Sequence, residues 1–479
     1  VSHRQNLKHG AQRDSAKAEP SSADGRLPTE EGHAGHGVAL ARQLQLVARS
    51  LQDIRSGRSG SAVLEAVPAA LRPGVQALLF RVLRNLGMAQ AMRQQLAPRK
   101  PAPAADALLC TALALLCDPG DAIYEHFTLV NQTVEAAKSQ NTTRQQAAFI
   151  NACLRRYLRE RESLTQAVCT DDCALWNHPN WWVQKVRKDH PAHWQHILKA
   201  SHVQAPMTLR INRQKTTLPL YQNELFAINL ESAAIGETGL ILQRAVPVTV
   251  LPGFAEGVIS VQDAAAQMAA PLLLGGLDLE RPLHVLDACA APGGKTAHLL
   301  EYAGAQSCVK VTALDVDPVR CQRIRETLGR LKLSAQVLAA DAGRPQDWWQ
   351  QHCNGALFDA ILLDAPCTAS GIVRRHPDVC WLRRESDVAQ LAAIQATLLK
   401  TLWPLLRPGG RLLYCTCSVF RAEGDEQVQS FLANNTDARL LPSPGHLLPG
   451  LGSNGKGVPD NLSGEHDGFF FALFQKAPA

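Results

Sequence analysis

At 479 residues the chain exceeds one ordinary core, since domains usually hold about 100 to 200 residues, so two or three are expected. With 46% hydrophobic and 19% charged residues, and apolar runs far shorter than the roughly 20 needed to cross a bilayer, it reads as a soluble globular protein with no membrane span. The formal charge is +6, and residues 1–165 hold 21 Lys+Arg against 14 Asp+Glu, so the basic excess is N-terminal. That asymmetry suits a polyanionic partner, although a solvated surface gives similar counts. The N-terminus lacks the basic start, apolar stretch and cleavage site of a secretory signal, which predicts a cytoplasmic protein. Thirteen cysteines, several inside apolar stretches (Cys110, Cys117, Cys153), predict reduced thiols rather than disulfides.

Residues 1–36 mix Gly, Ser, Ala, His and charges with almost no large apolar residue, and predict a disordered polar tail. From 37 to 165 apolar residues recur at three- and four-residue spacing over Ala39–Ile54, Ala77–Leu96, Asp106–Cys117, Tyr124–Lys138 and Arg144–Arg161. Breakers such as Arg72-Pro73-Gly74 and Asp118-Pro119-Gly120 separate them, so an all-α domain of about five helices is expected. Residues 166–280 carry a Trp-rich stretch (Trp176, Trp181, Trp182, Trp194) and short strand-like segments at Met207–Asn212 and Val258–Val261, which predict a small α+β connecting module.

Over 281–479 short apolar runs alternate with amphipathic helical stretches: His284–Asp287, Val311–Asp315, Gln336–Leu338, Asp359–Asp364 and Arg411–Tyr414. The alternation predicts a parallel sheet covered on both faces, with chemistry in the loops at the C-terminal strand ends. The first run leads into Asp287-Ala-Cys289-Ala290-Ala291-Pro292-Gly293-Gly294-Lys295, where two glycines let the backbone approach a ligand and open a helix. This is neither a dinucleotide nor an ATP phosphate loop. Asp315 closes the second strand about 20 residues on, where acids typically bind ribose hydroxyls, and Asp341 follows the third. Singly, each acid reads as a cap or a solvated loop residue; their recurrence at successive strand ends points to a site, and the lack of a pyrophosphate grip favours S-adenosylmethionine.

Two further loops present cysteine: Asp364-Ala365-Pro366-Cys367 and Cys415-Thr416-Cys417-Ser418. Cys289 and Cys415 read as packing residues, whereas the polar turns around Cys367 and Cys417 suggest chemistry. Cys415-x-Cys417 and Cys169-x3-Cys173 resemble zinc half sites, but neither has the second pair a metal would need, so no metal is expected.

Pro-Gly-Gly-Lys at 292–295, Asp-Ala-Pro-Cys-Thr-Ala-Ser-Gly at 364–371 followed by Arg374-Arg375-His376-Pro377-Asp378, and Thr-Cys-Ser at 416–418 resemble the NOL1/NOP2/Sun RNA cytosine-C5 methyltransferases. Residues Phe149–Arg156 look like part of a NusB-type RNA-binding domain, and the segments at 178–181, 209–212, 251–254 and 261–263 look like those of bacterial members acting on small-subunit ribosomal RNA. The resemblance implies a multidomain chain: an all-α NusB-like domain, the connecting module, and an α/β Rossmann-like class I methyltransferase domain. It further implies that Cys289–Lys295, Asp315, Asp341 and Asp364 bind or border S-adenosylmethionine. Cys417 would be the nucleophile and Cys367 would assist product release. Asp364 would be the hydrogen-bond partner or acid at the base N3. Small-subunit (16S) ribosomal RNA is the expected partner, and a monomer is expected. Departures from the family pattern are the long tail, Cys415 in place of a small residue, and the Gly- and Pro-rich stretch 442–464.

Cytosine C5 is a weak nucleophile, so a thiolate must first add to C6, and cysteine reaches that state near neutral pH. The residues alone do not rank the two cysteines, since a Pro-Cys after the fourth strand also resembles the nucleophile of DNA cytosine methyltransferases. Arg374, Arg375, Arg383 and Arg384 are candidates for holding RNA phosphates, a solvated arginine face being the alternative.

Overall fold

The computed structural model describes residues 40–117, 124–450 and 465–478. The expected polar tail and the Asp118-Pro119-Gly120 breaker lie outside them, as do residues 451–464.

The N-terminal region is helical, but it is divided more finely than the apolar spacing suggested. Up to Val168 the described residues form eight α-helices: Leu40–Arg55, Gly60–Glu65, Arg72–Arg84, Leu86–Leu96, Pro103–Cys117, His126–Lys138, Ala147–Arg159 and Arg161–Val168. Arg72-Pro73-Gly74 does not break a helix; it forms the first turn of one, where proline's missing N–H costs nothing. The expected helix Ala77–Leu96 is two helices meeting at Asn85, for a visible reason. The Asn177 side chain accepts from Gly87 N–H (2.7 Å) and donates to the Leu83 carbonyl (3.0 Å), taking both partners of the helical bond that would have bridged the break. Trp381 Nε1 also donates to Leu83 O at 3.1 Å. Inside the bundle, buried Asp106 receives Arg55 and Arg93 at 2.9 and 3.1 Å.

The last of these helices runs through the position where the connecting module was expected to begin. Three short helices follow: Asp172–Trp176, Asn180–Asp189 and Trp194–Ala200. A four-stranded antiparallel sheet comes next, built from β1 (Thr208–Ile211), β2 (Ser232–Ile235), β3 (Gly239–Leu242) and β4 (Ile259–Val261) in the order β2-β3-β1-β4. The segment Ala264–Leu274 already packs under the next sheet, beside Val285, Leu362 and Leu413.

That sheet has seven strands: β5 (Leu283–Asp287), β6 (Val309–Asp315), β7 (Gln336–Ala339), β8 (Phe358–Asp364), β9 (Leu406–Thr416), β10 (Ala438–Leu447) and β11 (Phe469–Lys476), ordered β10-β11-β9-β8-β5-β6-β7. The five expected runs form its parallel part, whereas β10 and β11 add antiparallel strands at one side. Here the expectation of an all-parallel sheet is corrected. The start of the Gly- and Pro-rich stretch lies within β10, the edge strand, with an irregularity between Leu441 and Gly445. Pro442 and Pro444 have no N–H to donate, which an edge strand tolerates at a bulge.

Asp467, just before β11, is locked to the loops of this sheet by charge. Asp467 receives Arg374 Nε and Arg375 Nε, both at 2.5 Å, while Arg375 Nη2 reaches Asp263 beyond β4 at 2.8 Å. The Asp467 side chain is 1% exposed and that of Arg374 5%, so removing one partner strands charge in a dry site. Asp467→Ala should therefore lower the unfolding free energy by about 3 to 5 kcal/mol in denaturant titration; a loss below about 1 kcal/mol, the scale of an exposed pair, would contradict the clamp.

Candidate active site

The loops at the C-terminal ends of β5, β6, β8 and β9 converge because those strands are parallel neighbours. Ala288 N–H donates to Leu362 O (2.9 Å) and Ala290 N–H to Leu314 O (2.7 Å), so the loop after β5 is tied to the strands on both sides. Gly293 ends this loop at φ +99°, and a Cβ there would press on the Ile324 backbone at 3.2 Å; glycine is required on both counts. Its helix, Gly294–Ala303, starts immediately after. Cys289 is half-buried, and its thiol is pushed up by burial and then by the charges of Asp364, Asp287 and Asp315. Those three carboxylates therefore border one space.

Each acid has a distinct local role. Asp287 is fully buried, accepts the Thr296 hydroxyl at 2.6 Å, and is pushed up to about 7 by burial. Asp315 is nearly buried at the end of β6, accepts Asp317 N–H at 3.1 Å and faces Arg320 Nη1 at 3.3 Å. Asp341 is exposed and accepts Gly343 N–H at 2.8 Å, closing its own turn after β7. Asp364 sits at the end of β8, with Lys295 Nζ donating to its Oδ2 at 2.7 Å. Burial acts to lower the Lys295 pKa, but the charge and hydrogen bond of Asp364, together with the neighbouring Cys415 and Cys417, outweigh it and push the value up.

Parallel pairing sets Asp364 opposite Cys415. Cys415 is fully buried, its thiol pushed up by burial, and its S–H reaches Asp364 Oδ1 at 3.5 Å, as a packing residue would. Cys367 and Cys417 leave the two strand ends together, with their Sγ atoms 3.4 Å apart and both residues half-buried. The Cys367 thiol is pushed well up, first by its hydrogen bond with Cys417 and then by burial. The rings of Trp182 and Trp181 pack on Phe420, three residues past Cys417, with centroids 5.0 and 6.2 Å away.

The arginines proposed as phosphate holders are mostly otherwise engaged. Arg374 and Arg375 form the Asp263/Asp467 clamp, and Arg383 donates to the Thr368 and Cys367 carbonyls at 3.0 and 3.2 Å, bracing the cysteine loop. Their place in the fold is structural; Arg384 alone of the four is exposed. Sequence reasoning missed Glu423, which is 0% exposed and whose carboxylate accepts from Thr368 and Ser418. Burial pushes its pKa up while the bonds from Ser418 and Thr368 oppose that shift. The polar run Arg421-Ala-Glu-Gly-Asp-Glu426 reads as a solvated turn, and only the tertiary structure turns its third residue inward. The Lys295–Asp364 pairing was also unforeseen, Lys295 having been assigned only to the cofactor loop.

Residues 276–475 match the model of the family described as 16S rRNA methyltransferase RsmB/F, and residues 178–249 match the ferredoxin-like domain of RsmF/B-like methyltransferases. The chain is 39% identical to the ribosomal RNA small subunit methyltransferase B of Vibrio cholerae, covering 89% of this chain and 95% of that one. Against the protein of the same name from Serratia proteamaculans the identity is 41%, over 72% and 76%. Among solved structures, PH0851 shares the fold at TM-score 0.70 and 22% identity, covering 91% of this chain and 99% of that one. A methyltransferase homologue from Pyrococcus horikoshii gives TM-score 0.52 and 26% identity, over 64% and 98%. For a methyltransferase of this family the cofactor is S-adenosylmethionine, and the donor set fits it: Asp315 and Asp364 end the strands on either side of β5 and flank the loop that follows it, where carboxylates suit ribose hydroxyls. The chain belongs to the RsmB/F family of 16S rRNA methyltransferases.

Proposed function

We propose that this protein methylates C5 of a cytosine in small-subunit ribosomal RNA through a covalent adduct between Cys417 and C6 of the base. In this reading residues 37–165 form a NusB-like domain that binds RNA, 166–280 connect, and 281–479 catalyse. The observation that carries it is the pair of thiols 3.4 Å apart beside the Lys295–Asp364 ion pair. One thiol and one proton-bearing pair are what C6 addition requires at the two edges of a pyrimidine.

Cys289–Lys295, Asp315 and Asp341 would hold S-adenosylmethionine, which would supply an electrophilic methyl group with a neutral thioether as the leaving group. The Cys417 thiolate forms a bond to C6, and the C5–C6 π electrons become available at C5 as charge builds at N3. Asp364 faces that charge with a proton or hydrogen bond, backed by the Lys295 ammonium 2.7 Å away. Once C5 carries the methyl group, Cys417 departs with the proton of Cys367, whose sulfur lies 3.4 Å away, while the Cys367 sulfur takes H5 as a proton and the C5–C6 double bond re-forms. Cys367 thus assists release, and the upward push on its thiol suits a group that holds a proton before and after that step. The target base must leave any stem to reach these loops.

The rival assignment makes Cys367 the nucleophile, as in DNA cytosine methyltransferases. Cys417→Ala should abolish both methyl transfer and any denaturant-resistant protein–RNA complex. Cys367→Ala should instead accumulate that complex when S-adenosylmethionine is present, seen as a slow-migrating band on a denaturing gel. The reverse pattern would install Cys367 as nucleophile, and loss of the adduct only in Cys415→Ala would move the role there. For the cofactor, Asp315→Ala removes a carboxylate placed for ribose hydroxyls, worth about 1.5 to 3 kcal/mol, so S-adenosylmethionine should bind about ten- to a hundredfold more weakly. Unchanged calorimetric affinity in the folded variant would refute that contact.

A further inference from the structure

Glu423 lies six residues past Cys417, in the short turn Arg421–Glu423, and is wholly shielded from solvent. Its Oε1 accepts from Thr368 N–H (2.8 Å) and Gln395 Nε2 (3.2 Å), and its Oε2 from the hydroxyls of Thr368 (2.5 Å) and Ser418 (2.6 Å). Thr368 directly follows Cys367, and Ser418 directly follows Cys417. One carboxylate thus holds the residue after each cysteine.

The surrounding bonds run one way. Val419 N–H donates to Ser370 Oγ (2.9 Å), Ser370 lies 2.8 Å from Ser418 Oγ, Phe420 N–H donates to Ser418 Oγ (3.0 Å), and the Ser418 hydroxyl donates to Glu423. The chain needs an acceptor-only terminus, which an ionised carboxylate provides and an amide does not. The Glu423 carbonyl meanwhile takes the Tyr414 hydroxyl at 2.8 Å and the Thr416 hydroxyl at 3.2 Å, tying the same turn to β9.

We propose that Glu423 is a positioning residue for the methyl-transfer reaction, clamping the Cys367 and Cys417 loops together so that both thiols face one base at a fixed separation. The kinetic part of this inference rests on the roles proposed above for the two cysteines; the geometric part does not. Glu423→Gln keeps the size of the side chain but turns an amide NH2 donor towards groups that are themselves donors, so the loops should part. Misplacement by about 1 Å costs on the order of a hundredfold in rate, so kcat should fall about that far while KM for S-adenosylmethionine stays within about twofold. Glu423→Asp, which keeps the charge on a shorter arm, should recover part of the loss. Val428→Ala, a core truncation in the following helix, should lower stability without the drop in kcat.

The geometric readout is the rate at which diamide, which accepts two hydrogens from a thiol pair, links Cys367 to Cys417 in the full-length protein, followed by peptide mass mapping. Wild type should link readily, and Glu423→Gln at least about tenfold more slowly, in keeping with a lost near-attack geometry. A folded Glu423→Gln protein that links at the wild-type rate overturns the proposal, whatever its activity. If that variant does not fold, Thr368→Val and Ser418→Ala each cut one side of the clamp and should slow the linkage; a wild-type rate in either would overturn it equally. Slower linkage in a protein whose RNA adduct maps to another cysteine would uphold the clamp while refuting the assignment of Cys417.

Discussion

The pairing of β8 with β9 is the constraint on which the site depends. It sets Asp364 opposite Cys415 at the ends of two adjacent parallel strands. From there one loop needs three residues to reach Cys367 and the other two to reach Cys417, so both thiols arrive at one level of the sheet. A slip of one residue in β9 would exchange the faces of its side chains, moving Cys415 into the opposite core and Tyr414 into its place. The slip is opposed from both sides: Leu412 and Tyr414 belong to the core on one face, and Leu413 and Cys415 to the core on the other. Cys415 is then explained by packing, though its position beside Asp364 places it at the margin of the chemistry.

Around that register, buried polar and charged groups hold the loops to one another. The Arg374/Arg375 clamp fixes the segment after Cys367 to Asp263 and Asp467, and Arg383 braces the Cys367 and Thr368 carbonyls. The N-terminal helices reach the same segment. Gly60 N–H donates to Asp378 at 2.8 Å, and Arg84 Nη2 donates to the Arg374 carbonyl at 2.9 Å. The helical region therefore bears directly on the loop that follows Cys367, and truncating it would disturb the catalytic domain as well as any RNA contact.

What could be read from sequence follows from range. The acids and cysteines at strand ends were legible because alternation of apolar runs and amphipathic stretches fixes where the loops fall, and Gly293-Gly294 marks a close backbone approach. Long-range partners were not. The break at Asn85 is made by Asn177, ninety-two residues away in sequence, and nothing in the apolar spacing of Ala77–Leu96 signals it. The strand β10 was hidden by Pro442 and Pro444, which read as loop until pairing with β11 is known. Arg374 and Arg375 look like phosphate ligands by composition, and it is Asp263 and Asp467, both distant in sequence, that turn them inward. Glu423 was concealed in the same way, as one acid in a polar run.

The most direct test of the account uses RNA in which the target cytidine carries fluorine at C5. After addition and methyl transfer the fluorine cannot leave as H5 does, so the adduct persists. Wild-type protein incubated with this RNA and S-adenosylmethionine, then digested and sequenced by tandem mass spectrometry, should yield the modified nucleotide on the peptide bearing Cys417, with the methyl group present. Attachment to Cys367, or methylation with no attachment at all, would contradict the account.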